Sequence, residues 1–171
     1  RIRMNSLAAA NVFMRSLATR RQHLATSAVL ADVIALYRAA GFDLIVVETA
    51  GIGQSDTEIV DLADLSLYVM TAEYGAASQL EKIDMLDFAD VVAINKFERR
   101  GAKDALRDVG RQLVRNREAF GQRPEDMPVY GTSAATFNDD GVTALYQHLK
   151  STLVDKGLPL NEGSLAPVDV R

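Results

Sequence analysis

Three short polar clusters in this sequence carry the residue types that a nucleotide site requires: Glu48-Thr49-Ala50-Gly51, Asn95-Lys96-Phe97-Glu98 and Thr132-Ser133-Ala134. A carboxylate such as Glu48 can hold Mg²⁺, directly or through a water, and a glycine such as Gly51 lets a backbone N–H approach a γ-phosphate. Asn95 and Glu98 can read a purine base. A carboxylate accepts the two hydrogens that guanine, unlike adenine, presents on adjacent nitrogens. The Lys96 stem can lie along the ring face, and the backbone N–H of Ala134, after Ser133, can donate to the guanine carbonyl oxygen. Gln54, just past Gly51, can orient an attacking water and can equally be a loop residue facing solvent. Each cluster alone is a weak signal. Their order along the chain makes GTP or GDP with Mg²⁺ the expected ligand.

Every cluster follows an apolar run. Leu44-Ile45-Val46-Val47-Glu48 reads as a parallel strand buried on both faces, with the chain organised around it. Leu65 to Met70, Val91 to Ile94 and Pro128 to Gly131 read as further strands, and Val12 to Leu17 looks like another. Apolar residues spaced three and four apart predict a helix over 26–40, stopped by Gly41, and others over 76–88 and 141–156, while 102–119 reads as a long charged helix. A short helix is expected over 56–63. Asn138 and Asp139 are placed to cap the last helix. Strands alternating with helices predict an α/β fold with a mostly parallel sheet and helices on both faces. Parallel strands point the same way, so the clusters should share one sheet edge, where open α/β sheets bind their ligands.

Composition excludes other classes. With 171 residues, 48% hydrophobic and 25% charged, the chain is read as one domain over 1–157 and a linker or tail over 158–171. Its 19 basic and 23 acidic side chains give a net charge of −4 with no basic patch, which argues against nucleic acid. There is no cysteine, hence no disulfide or thiolate metal site, as fits a reducing cytoplasm. No apolar run approaches the ~20 residues of a membrane helix, so a cytoplasmic protein without membrane contact is expected. His23 and His148 have no partner at metal-ligand spacing.

The residues also resemble a family. Met14-Arg15-Ser16-Leu17-Ala18-Thr19-Arg20, Gly41-Phe42-Asp43 into Glu48-Thr49, the stretch from Gly75-Ala76-Ala77-Ser78-Gln79-Leu80-Glu81-Lys82 to Phe88, and Phe137-Asn138-Asp139-Asp140-Gly141 are similar to the G-protein metallochaperones of adenosylcobalamin-dependent acyl-CoA mutases, the MeaB/ArgK type. Within that type the likeness is to the G domain of fused isobutyryl-CoA mutases. The resemblance implies a P-loop NTPase-like GTPase that gates cofactor delivery to, and protects, a mutase of isobutyryl-CoA or methylmalonyl-CoA type. Adenosylcobalamin would be held in the mutase domain. It further implies that Glu48 serves Mg²⁺, Gly51 the γ-phosphate, and Asn95, Lys96, Glu98, Ser133 and Ala134 the guanine. The loop 49–56 looks like the family's second switch, and 72–81, with Gln79 and Glu81, like an additional switch facing the mutase. A homodimer is one open option.

Two features depart from the family pattern. No G-x-x-x-x-G-K-[ST] phosphate loop occurs. The opening Arg1-Ile2-Arg3-Met4, without a start methionine, is read as the continuation of a longer chain, and these residues lack the N-terminal strand and phosphate loop of the P-loop NTPase-like fold. On this reading the fragment alone is an inactive GTPase. Glu98 stands where the base-reading motif usually has Asp, and its extra methylene must be absorbed by the backbone or the rotamer. Two rival readings remain: a non-catalytic scaffold for the mutase, and a dinucleotide-binding oxidoreductase suggested by Gly51-Ile52-Gly53 with Glu73 downstream. In the second, Asp56 occupies the third glycine position, where a carboxylate would face pyrophosphate.

Overall fold

A run of β-branched residues becomes a strand when neighbours complete its hydrogen-bond ladder and cover its faces. In the computed structural model, which describes residues 11–17, 29–49, 59–74, 80, 83–160 and 168, three runs meet that condition. β1 (Leu67–Thr71), β2 (Val91–Asn95) and β3 (Val129–Thr132) form a parallel sheet in the order β1-β2-β3. The register pairs Thr71 with Asn95 and Asn95 with Thr132, so the strands end level with one another. Helices connect them, as parallel neighbours require. They are α1 (Leu30–Ala39) before β1, α2 (Met85–Phe88) between β1 and β2, α3 (Ala102–Asn116) between β2 and β3, and α4 (Asp140–Asp155) after β3.

The two sheet faces bury different residues, following the two-residue period of a strand. Met70, Val92, Ile94 and Val129 pack with Met85 and Leu86 of α2 and with Ala105, Val109 and Leu113 of α3. The opposite face, with Val91 and Tyr130, packs against Ala144, Leu145 and Leu149 of α4. Helices thus cover both faces, as expected. α3 presents Ala102, Ala105, Val109 and Leu113 as one buried stripe at spacings of three and four. Gly41, at φ 82°, takes the left-handed position just past the end of α1 and stops it. Phe13, Tyr37 and Phe42 form an aromatic group that ties residues 12–17 to α1, with ring centroids 5.7 and 5.4 Å apart.

Two expected strands are absent. Residues 44–49 have no strand pairing, and Val46 is 81% exposed. Residues 12–17 are likewise unpaired, with Phe13 exposed. The reason is tertiary: among the described residues no strand lies beside either segment, and Leu67 and Val69, on one face of the edge strand β1, stand exposed. Of the helix expected over 76–88, Met85–Phe88 is seen as α2, and 75–79, 81 and 82 lie outside the described residues. Over 56–63 the chain forms the 3₁₀ turn Val60–Leu62, with 56–58 outside them. In the tail, the Val168 N–H donates to the Gln147 side chain on α4 at 3.0 Å. Among the described residues no helix is long and apolar enough to cross a membrane.

Candidate functional site

The level strand ends place Asn95 and Thr132 side by side, and the residues after them converge. The Phe97 N–H donates to the Thr132 carbonyl at 3.0 Å, which fastens the loop after β2 to the end of β3. The turn itself is sharp: Lys96 adopts φ 57°, uncommon for a residue with a side chain, and the Arg99 N–H closes it on the Lys96 carbonyl. Glycine at 131 makes this approach feasible. A Cβ there would lie 2.5 Å from the Phe97 ring. A Cβ on Gly141, in the first turn of α4, would collide with the Gly131 carbonyl, so both glycines are required by close packing.

Side chains then cross-link the two loops. The Ser133 hydroxyl donates to Glu98 Oε2 at 2.6 Å. The Ala134 N–H donates to Asn95 Oδ1 at 3.3 Å, and Thr132 Oγ1 lies 3.5 Å from the same oxygen. The Ser133 hydroxyl, with the backbone N–H of Glu98 and the charges of Arg99 and Lys96, holds the Glu98 carboxyl below its usual range. Glu98 is therefore an ionised, solvent-facing acceptor on a braced stem. Asp139 braces the other loop: Oδ2 accepts from the Ser133 N–H at 3.1 Å and from the Val142 N–H at 2.8 Å. One carboxylate thus caps α4 and anchors the turn that carries Ser133 and Ala134.

Five of the expected site residues, Asn95, Lys96, Glu98, Ser133 and Ala134, come together at the carboxyl edge of the sheet. Ser133 enters as the partner of Glu98, with its hydroxyl turned to the carboxylate. Glu48 is exposed on the unpaired segment, and Gly51, Gln54, Gln79 and Glu81 lie outside the described residues. Among the described residues no group of three or more His, Asp or Glu side chains could hold a metal. Glu73 accepts from the Thr71 hydroxyl and from Arg99 at 3.0 Å. Those bonds tie the carboxylate on which the dinucleotide reading relies into the protein's own network. Two contributors were hidden in the sequence. Asp139 was legible as a cap; its bond to Ser133, six positions upstream, depends on how the loop folds back. The glycine at 131, in an otherwise β-branched and aromatic strand, is a signal of close backbone approach that its position alone could have raised.

Comparisons with known proteins identify the family. The family described as "Methylmalonyl Co-A mutase-associated GTPase MeaB" matches residues 1–156. The chain is 68% identical over its whole length to a fused isobutyryl-CoA mutase of Nocardia farcinica and 62% identical to one of Cupriavidus metallidurans. A fused isobutyryl-CoA mutase of Geobacillus kaustophilus is 51% identical over 91% of the chain. The chain spans 16% of the length of each of the first two relatives and 14% of the third.

Proposed function

Because the chain belongs to the MeaB family of mutase-associated GTPases, we propose that its Asn95–Glu98 and Thr132–Ala134 loops bind the base of GTP and GDP. The observation that carries this reading is the bracing of Glu98 by Ser133 at 2.6 Å. It leaves an ionised carboxylate with lone pairs free for the two adjacent N–H groups of guanine. The Ala134 N–H bond to Asn95, at 3.3 Å, lies beyond the usual 2.7–3.2 Å range, so the guanine carbonyl oxygen can take its place. The Lys96 stem covers a ring face. Adenine is disfavoured because its amino group would approach the Ala134 N–H, donor against donor.

In the intact polypeptide the reaction is phosphoryl transfer to water, where positioning and charge neutralisation supply most of the rate. Glu48 would hold Mg²⁺, in keeping with that ion's use of one or two carboxylates beside substrate phosphates, and the ion would supply charge neutralisation when bound. Gly51 gives its N–H to the γ-phosphate, and Gln54 orients the water. Residues 1–157 act as the G domain and 158–171 as a linker. The domain gates loading and protection of the cofactor of a cytoplasmic, adenosylcobalamin-dependent acyl-CoA mutase, to which it is fused as in the relatives named above.

The test is binding of GTP, GDP and ATP with Mg²⁺ to the intact polypeptide, and to a variant carrying Asn95→Ala and Glu98→Ala. Guanine-selective binding that the variant loses supports the reading. A parent that binds no nucleotide, or all three alike, overturns it in favour of a non-catalytic scaffold.

A further inference from the structure

Glu98 is not the only charged group in its turn. Arg99 follows it directly, and a guanidinium is the side chain best suited to fork onto a carboxylate through two parallel N–H bonds. Such a fork would occupy the lone pairs that a guanine needs. The structure shows where Arg99 goes instead: its Nη1 donates to Glu73 Oε1 at 3.0 Å, across the sheet edge. Glu73 lies in the turn Ala72–Tyr74, immediately after β1, and its carboxylate also accepts from the Thr71 hydroxyl and its own backbone N–H. Thr71 is the register partner of Asn95, so the acceptor for Arg99 is fixed to the same strand ends as the base-reading loop.

We propose that Glu73 is a positioning residue for guanine recognition, one that holds the Arg99 guanidinium away from the Glu98 carboxylate. The inference rests on the assignment of Glu98 as the base reader. The pair is about half exposed on each side, at 53% and 55%, and such pairs contribute little to folding. Its consequence is the placement of charge: with Glu73 neutral, the nearest carboxylate in sequence to Arg99 is Glu98, already within its field. Lys96 remains in the turn in either case and does not compensate, because its stem is committed to the ring face.

The experiment measures GDP and IDP affinity for the intact polypeptide and for Glu73→Gln, Arg99→Ala and the double variant. IDP lacks the 2-amino group, so the GDP-to-IDP ratio reports the Glu98 contact. Glu73→Gln is expected to lower GDP affinity by up to about fivefold and to shrink the ratio. Removing Arg99 as well is expected to restore both, which a merely structural ion pair would not do. Unchanged affinity and ratio in Glu73→Gln overturn the inference, as does a double variant no better than the single. A parent that binds neither nucleotide overturns the base-site assignment itself.

Discussion

The close approach of Phe97 to Gly131 allows a sharp test of how the loop proposed to read the base is held. In Gly131→Ala the new Cβ starts 2.5 Å from Phe97 Cδ2 and 2.6 Å from two further ring carbons. Unstrained carbon–carbon contacts lie at ~3.5–4.0 Å, so the ring must retreat by about 1 Å or more. It cannot move freely, because the Phe97 N–H is tied to the Thr132 carbonyl at 3.0 Å. Either the ring rotates off its rotamer or that bond lengthens and the turn 96–99 shifts with it. Overpacking of this kind costs about 1–3 kcal/mol, which for a chain of this size lowers the melting temperature by about 2–4 °C per kcal/mol. The distinctive result is in binding. Loss of the charge-assisted hydrogen bonds at a misplaced Glu98, worth ~1.5–3 kcal/mol, should lower guanine nucleotide affinity on the order of ten- to a hundredfold, read by calorimetry well below the melting temperature. Parental affinity together with parental stability would refute the argument that Gly131 makes room for the loop. Lower stability with parental affinity would show that the strain is absorbed away from Glu98.

Ser133→Ala removes the hydroxyl that does most to hold the Glu98 carboxyl below its usual range. The carboxyl titration followed by NMR should move up; since the ionised form is the acceptor, the acid limb of guanine binding should move to higher pH with it. An unmoved titration sinks this account of the site. Glu73 sits at about 2 against an ordinary 4.5, held there by the Thr71 hydroxyl first, then its own N–H and Arg99. A depressed carboxyl contributes stability that is fully present above 4.5 and lost as pH falls toward about 2. Glu73→Gln should therefore flatten the slope of stability against pH in that window, and equal slopes in denaturant melts would contradict it. Asp139→Ala deletes the α4 cap and the Ser133 anchor together, for a loss of ~1 kcal/mol in folding stability. Asp139→Asn should keep most of it, and equal midpoints for parent and Asp139→Ala would count against the cap.

What could be read from the sequence followed from how local each feature is. Asn95-Lys96-Phe97-Glu98 was legible because a strand end and the polar residues after it are consecutive, and Val91 to Ile94 mark the strand without help from the rest of the chain. The common sheet edge was legible too, since parallel strands bring their carboxyl ends together whatever their exact register. Residues 44–48 were a different case. Their composition suits a strand buried on both faces, yet whether faces are buried is decided by neighbours, and Val46 stands 81% exposed where no strand among the described residues pairs with it. The contacts that tune the site were less legible still. Ser133 to Glu98, Asp139 to Ser133 and Arg99 to Glu73 each join loops whose separation depends on register and on the turn at Lys96, neither of which propensity fixes. The register that sets Thr71, Asn95 and Thr132 level is thus the link between sequence and chemistry. A slip of one residue along β2 would turn Asn95 to the opposite face of the sheet and leave Glu98 without the Ser133 hydroxyl that braces its carboxylate.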